Sequence, residues 1–370
     1  MEKKALQLAS VASMIDQFNI PNIRILQSLG YKVDVIADFT NPGTISAERA
    51  ENLKNRLNEM GVGVFDIPIP RSLQPSSIFC AYKEVREIIS REHYGLIHCH
   101  SPIGGVICRM AARKERALGT KVIYTAHGFH FYKGAPLLNW LVYYPIEKHY
   151  SRFTDVLITI NKEDFKRAEL KLHAKNTLYI PGVGIDTEKF SPKTPKQVSI
   201  RKELGLREDK SLLLSVGELN ENKNHAAVIK AIKGMDLVYV VVGKGEKKAE
   251  LEELAKEYGV DLRLMGFRND VADFYAAADA YVLPSYREGL NVSLMEAMAS
   301  GLAVCASRIR GNVDLFPGPF FDPGDIVGIS RAITEVLANK KTLGIENLER
   351  IKLFDIHNVS ELMKRVYTEY

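Results

Sequence analysis

Cysteine is scarce in this chain. The 370 residues include four, Cys80, Cys99, Cys108 and Cys305, at spacings that suit neither a disulfide framework nor a zinc site. A reducing compartment is the expectation, and a disulfide-stapled secreted scaffold is excluded. Long apolar runs are lacking as well. Nothing approaches the roughly 18 apolar residues of a membrane span, and the apolar part of the opening MEKKALQLAS is too short for a signal peptide. A cytoplasmic chain is expected, with any membrane contact peripheral. No low-complexity segment occurs, and no Asp-x-Asp pair is found anywhere.

What is present bounds the answer from the other side. At this length, with 46% hydrophobic residues, two domains with two cores are the natural reading. The overall charge of +5 is modest, and no nucleic-acid partner is expected. Its distribution is uneven: residues 1–195 hold 26 Lys+Arg against 19 Asp+Glu, or +7, which leaves 24 against 26, or −2, for the remainder. A basic first half suggests an anionic partner, a membrane surface or a phosphate-bearing acceptor, with an ordinary solvated basic surface as the alternative. Arg109, Arg113, Lys114 and Arg116, on one expected helix, are the charges most naturally turned to lipid.

Apolar runs and breakers alternate in an α/β pattern. Strands are expected at 5–10, 31–37, 62–67, 95–100, 121–126, 155–160 and 177–180, with helices at 18–29, 46–60, 78–91 and 104–116. A breaker-rich stretch, 182–197, reads as the connection. The alternation then restarts, with strands at 211–216, 237–242, 262–265, 280–283 and 302–306. Helices are expected at 225–232, 246–258, 271–277 and 326–338, in a run ending at Ala299, and at 343–350 and 359–367. Mostly parallel sheets covered on both faces follow. The domains are 1–185 and 186–370, and the last helix is a candidate to pack back on the first.

The most informative stretch is 284–311, PSYREGLNVSLMEAMASGLAVCASRIRG. A strand feeds a loop with Gly289, then a helix, then a second strand, so the loop lies at a strand's carboxyl end, where open α/β sheets bind ligands. Glu288 and Glu296 bracket it with seven residues between them. On the helix, Ser293, Glu296 and Ser300 form a narrow polar stripe on an otherwise apolar surface. A buried carboxylate there needs hydrogen-bond donors, and sugar hydroxyls would serve. A solvated helix-start glutamate is the other reading of Glu296 alone. Free amides near Leu290, Asn291 and Val292 are suited to phosphate.

EGLNVSLMEAMASG resembles the E-x7-E signature of retaining glycosyltransferases of family four, of the bacterial capsular and exopolysaccharide type. Their GT-B fold has two Rossmann-like domains facing across a cleft. The resemblance is close over 216–311 and looser over 127–186, while 1–100 agree in architecture only. It implies that Glu296 binds the ribose hydroxyls and Glu288, with Gly289, the donor sugar. Ser215 to Lys223 (SVGELNENK) is similar to the family's V-G-R-L-x-x-x-K phosphate segment, with Gly217 and Lys223 in place and Glu218 where an arginine stands. That carboxylate either leaves Lys223 to work with Arg268 or Arg287, or leaves phosphate binding mainly to backbone amides, or simply pairs with Lys223. Met265-Gly266-Phe267-Arg268 resembles the base-binding segment, with Arg268 a stacker or an ordinary exposed arginine.

In the first half, His127 matches the family's histidine near the donor sugar, and a structural histidine is the other reading. His130 and His100 are assigned to the acceptor side. His98 and His100 share a strand face with Cys99 turned away, which argues against a metal site. Pro181 to Asp186 is similar to the family's P-N-G-V-D hinge. The usual glycine pair after the first strand is missing from Ser10 to Ile15, so no site residue is assigned there.

The resemblance therefore implies a retaining hexosyl or N-acetylhexosaminyl transfer from a nucleotide-diphosphate sugar, UDP by preference, to a lipid-diphosphate-linked glycan in surface polysaccharide synthesis. Neither a cofactor nor a metal is expected. A non-catalytic sugar-nucleotide-binding subunit and a nucleotide-sugar 2-epimerase are the alternatives.

Overall fold

The computed structural model describes residues 3–72, 74–192, 197–207 and 209–370, so 193–196 of the expected connection lie outside it. Contacts divide the chain into two compact units: one runs to Val183 and includes Val359–Tyr370, the other is Gly184–Asn358. In the first unit the strands are β1 (Lys4–Val11), β2 (Lys32–Asp38), β3 (Gly63–Asp66), β4 (Leu96–His100), β5 (Lys121–Ala126), β6 (Val156–Thr159) and β7 (Asn176–Tyr179). They form one parallel sheet in the order β3-β2-β1-β4-β5-β6-β7. The second unit has β8 (Ser211–Val216), β9 (Leu237–Val242), β10 (Asp261–Leu264), β11 (Ala280–Leu283), β12 (Ala303–Ser307) and β13 (Phe320–Phe321), ordered β10-β9-β8-β11-β12-β13. In both sheets the order reverses beside the first strand.

Alternation along each strand explains the two cores of each unit. Ala5 and Ala9 of β1 join Val33 and Val35 in one cluster, while Leu6 and Leu8 join Ile36 and Ile97 in another. Likewise Leu212 and Leu214 of β8 pack with Val238 and Val240, whereas Leu213 packs with Tyr239 and Val241. The helix Ile356–Glu369 buries Val359, Met363, Val366 and Tyr367, one face of a helix, in the same cluster as Ala5.

Helices at Leu137–Tyr150 and Lys162–Lys171 were not expected, nor were the short Gln197–Glu203 helix and β13. Leu137–Tyr150 contains Pro145 and buries only Glu147, so it lacks both an apolar period and a clean run. Lys162–Lys171 is polar on most sides and begins with an Asn161 cap that accepts from the Asp164 amide. The expected 104–116 helix is two pieces, Pro102–Ala111 and Arg113–Ala117.

That region also corrects the reading of its basic residues. Arg109 is fully buried. Its Nη1 and Nη2 donate to the two Glu147 oxygens at 2.6 and 3.1 Å, its Nε donates to the Gly105 carbonyl at 2.9 Å, and the guanidinium lies 4.1 Å from the Tyr124 ring centre. Arg116 pairs with Asp155 at 2.9 Å. Neither charge is therefore free to meet lipid. Removing one partner of a buried pair strands the other charge, which costs about 3–5 kcal/mol. Glu147→Gln is expected to lower the unfolding free energy measured by urea titration by that much, whereas Arg113→Gln at the exposed start of the next helix leaves it within about 0.5 kcal/mol.

Candidate active site

The strand order of the second unit reverses between β8 and β11, so the loops leaving those strands diverge and keep their backbone groups open to a ligand. Side chains and backbone tie the two loops together. Tyr286 N donates to the Asn222 carbonyl at 2.9 Å, Asn222 Nδ2 to the Arg287 carbonyl at 3.1 Å, and Asn224 Nδ2 to the Pro284 carbonyl at 3.2 Å. Across them Lys223 Nζ meets Glu288 Oε1 at 2.7 Å, with both side chains largely covered. Lys223 is thus paired with Glu288, not with Glu218. The Glu218 side chain is exposed and accepts from Asn220 Nδ2 at 2.8 Å, while its carbonyl accepts from the buried His225 ring at 3.2 Å.

Two glycines let the backbones come this close. A Cβ on Gly243, after β9, would run into the Gly217 carbonyl, and one on Gly311, at φ +81, into the Gly289 carbonyl. The helix Val292–Ala299 then starts from Asn291, whose buried side chain accepts from the Leu294 amide at 2.9 Å and from Ser293 Oγ at 2.7 Å. The amides of Val292 and Ser293 have no hydrogen-bond partner among the described residues, and Leu290 packs half-buried against the core below.

Glu296 lies one turn further along. Its Oε2 accepts from Tyr275 OH at 2.8 Å. Burial lifts the carboxyl to about 7, against the opposing pull of that hydroxyl and of Lys189. Arg268 is held down: its guanidinium bonds both Asp270 and Glu203 at 2.7 to 3.1 Å and lies 5.0 Å from the Phe274 ring centre. The neighbouring Phe267 is 61% exposed and is the unburied ring of that segment. Arg287 is exposed, with a long contact of 3.4 Å to Asn222.

In the first unit, His98, His100 and His127 form one cluster. Ring centres are 4.2 Å apart for His98 and His100 and 5.4 Å for His100 and His127. Thr125 Oγ1 lies 2.8 Å from His98 Nε2, and Tyr367 OH 2.7 Å from His98 Nδ1. Gln7 donates to Tyr367 OH at 3.2 Å, and its Oε1 lies 3.2 Å from His100 Nε2. His100 Nδ1 then meets His127 Nε2 at 3.1 Å. Burial holds His98 down to about 3 and His127 to about 4, and puts His100 well below the usual imidazole range, so all three rings are neutral near pH 7. His130 is apart from this cluster, exposed and stacked on Tyr143 at 4.5 Å.

Comparison with known proteins decides the family. The family described as Glycosyltransferase Family 4 matches residues 23–189, and Glycosyl transferases group 1 matches 196–351. A Bacillus subtilis (strain 168) protein named glycosyltransferase EpsD is 34% identical over all of this chain and 97% of its own. The chain is a family 4 glycosyltransferase. An Escherichia coli relative, named UDP-Gal:alpha-D-GlcNAc-diphosphoundecaprenol alpha-1,3-galactosyltransferase, is 28% identical over 90% of this chain and 87% of its own. Among solved structures, Anabaena Alr3699/HepE in complex with UDP superposes with a TM-score of 0.78 at 19% identity, covering 99% of this chain and 100% of that one, which shows the GT-B fold.

The sequence singles out Glu288, Glu296 and Lys223 as candidates, but not the residues that surround them in the structure. Tyr275 sits one helix earlier, 21 residues from Glu296, and carries no motif. Asn220 and Asn222 stand inside the quoted loop, where their turn-forming habit was the available signal.

Glu296 generates a pH prediction. Its ionised form is disfavoured in the fold, so the stability it contributes is complete below about pH 4.5 and is lost as the pH rises through about 7. Glu296→Gln cannot ionise. Its melting temperature relative to the unsubstituted protein is therefore expected to climb between about pH 5 and about pH 8. A difference that stays constant over that range would show that Glu296 titrates as an ordinary surface carboxylate.

Proposed function

We propose that this glycosyltransferase moves a hexose or N-acetylhexosamine from a UDP-sugar to a lipid-diphosphate-linked glycan, with retention, in bacterial surface polysaccharide synthesis. The observation that carries the reading is the Lys223–Glu288 contact beside the open helix start at Val292, at the strand reversal of the second unit. It groups a cation and free amides suited to a diphosphate with a carboxylate suited to sugar hydroxyls. Two relatives support the donor and acceptor classes: the E. coli enzyme is named for UDP-Gal and a diphosphoundecaprenol acceptor, and the Anabaena structure holds UDP.

In this reading the second unit binds the donor. Glu296 accepts the ribose hydroxyls, Phe267 and the Gly266 backbone hold the base, and Lys223 with the Val292 and Ser293 amides takes the diphosphate. Arg268 shapes that wall through Asp270 and Glu203. Glu288, with Gly289, Leu290 and Asn291 behind it, orients the sugar. In the first unit His127 and His130 are read toward sugar and acceptor, whereas His100, buried with both ring nitrogens bonded to Gln7 and His127, acts behind His127 and not on the acceptor. The anomeric carbon exchanges its bond to the diphosphate oxygen for one to the acceptor oxygen on the same face, and the acceptor proton leaves on the diphosphate. No carboxylate base is needed, so the protein's share is positioning and stabilising the leaving charge.

Because the sequence has no Asp-x-Asp and Lys223 is available, the transfer is read as metal-independent. Turnover is expected to persist in excess EDTA, and Lys223→Ala to slow it roughly a hundredfold or more. Loss of activity in EDTA with recovery in magnesium or manganese would instead assign the exposed Glu218 to a metal. Glu218 also favours a second reading, a sugar-nucleotide-binding subunit without transfer, because a carboxylate there repels phosphate. Slow UDP release from a UDP-sugar without acceptor separates the two.

With a lipid-linked acceptor, the protein is read as working at the inner membrane face. Leu137, Leu138 and Leu141 are 72%, 68% and 65% exposed on the apolar helix Leu137–Tyr150, and they replace Arg109 and Arg116 as the contact residues of this proposal. Sedimentation with anionic liposomes is expected at low salt and reduced at high salt, and Leu138→Asp with Leu141→Asp is expected to abolish it. Full recovery in the supernatant with both neutral and anionic vesicles would refute membrane binding.

A further inference from the structure

The His98–His100–His127 cluster contains a directional hydrogen-bond chain, and its direction has a chemical consequence at the far end. Gln7 is fully buried and bonds two different rings. Its Nε2 donates to Tyr367 OH, and the phenol therefore uses its own proton on His98 Nδ1, 2.7 Å away. His98 is left to carry its proton on Nε2, toward Thr125 Oγ1. At the other end of the Gln7 amide, Oε1 has only lone pairs to offer, so His100 must carry its proton on Nε2. His100 Nδ1 is then an acceptor, and the proton in the 3.1 Å contact belongs to His127 Nε2. A neutral imidazole protonated at Nε2 has a bare lone pair at Nδ1. That atom has no hydrogen-bond partner among the described residues and is not one of the buried unsatisfied atoms, so it is open to a ligand.

We propose that Gln7 and Tyr367 are positioning residues that set the tautomer of His127, so that His127 presents a lone pair at Nδ1 and selects a hydroxyl group there over a phosphate or carboxylate. Anions need a donor and meet only a lone pair, whereas a sugar hydroxyl supplies the proton. This rests on the reading of His127 as facing sugar or acceptor. It extends that reading by naming the group recognised, and it gives the last helix a part in the site: Tyr367 lies 360 residues from Gln7 and closes the chain between His98 and Gln7. Without the phenol, nothing in the chain holds the amide in one orientation. The flipped amide would reverse every proton down to His127.

The test is the tautomeric state itself, read from the ring nitrogens of the full chain labelled with [15N]histidine near pH 7, with His127 assigned through His127→Asn. Expected is a protonated Nε2 and a bare Nδ1 in the unsubstituted protein. Tyr367→Phe and Gln7→Met, each keeping the shape of the buried side chain, are expected to give a mixture of tautomers. UDP release from UDP-galactose is expected to slow roughly tenfold in kcat, on the scale of losing an outer partner that orients a histidine, with KM little changed. Near-ultraviolet circular dichroism verifies that each variant is folded, and two variants keep the test open if one is not. A proton on Nδ1 in the unsubstituted protein, or a tautomer unmoved in both folded variants, overturns the proposal whatever the activity. A tautomer that shifts as expected without any change in turnover supports the chain and counts against the role of His127 in the chemistry, so the two failures are distinguishable.

Discussion

Both units of this glycosyltransferase depend on one constraint of parallel sheets. Strands covered by helices on both faces must be joined by right-handed crossovers, and when the order reverses beside the first strand the crossovers on either side leave by opposite faces. The loops at that point cannot pack on each other completely. In the second unit they are the loops after β8 and β11, and the polar groups that remain there are Lys223, Glu288 and the start of the Val292–Ala299 helix. In the first unit the reversal falls between β1 and β4, and Gln7, His98 and His100 line those two strands. In the second unit that point leaves backbone amides uncovered, whereas in the first the three side chains are buried beneath it.

Charge in the second site is balanced rather than strongly positive. Lys223 is already opposed by Glu288 at 2.7 Å, and Glu218 adds a negative charge nearby in sequence. A diphosphate therefore cannot be held by a cation cluster of the kind an arginine at 218 would make. The amides of Val292 and Ser293 are left unpaired because Asn291 caps Leu294. The Lys223–Glu288 pair also holds the Lys223 side chain in one rotamer, which lowers the side-chain entropy a further contact would cost.

How much of this was legible beforehand varies with the physical signal. β5, β8, β9 and β11 fall where the apolar runs place them, because strands buried on both faces read as unbroken hydrophobic segments bounded by breakers. The helix Leu137–Tyr150 was hidden, since a proline and a ring of exposed leucines erase the period that marks an ordinary amphipathic helix. Glu288 and Glu296 were legible through their spacing. That Lys223 would bond Glu288 and not Glu218 was not, because the partners are 65 residues apart and only the stitching of two loops brings them together. Arg268 was read as a ring-covering group, yet Glu203 and Asp270 claim its guanidinium, and the exposed ring beside it is Phe267.

Neutrality of buried groups connects the two units more than any motif does. Burial lifts Glu296 toward 7 and pushes His98 and His127 far below the usual imidazole range, so these groups, unlike the paired Lys223 and Glu288, are in or near their uncharged forms at neutral pH. An uncharged imidazole has one donor and one acceptor, and a buried chain of such rings is satisfied only if every proton points the same way along it. Tyr367 OH suits the one position in that chain where a group must accept from Gln7 and donate to His98 at once. A phenylalanine there would remove the partner of His98 Nδ1 and of one end of the Gln7 amide, which costs about 1–3 kcal/mol for each orphaned group. The end of the chain is thus bound into the first sheet by polar necessity as well as by the apolar face of its helix.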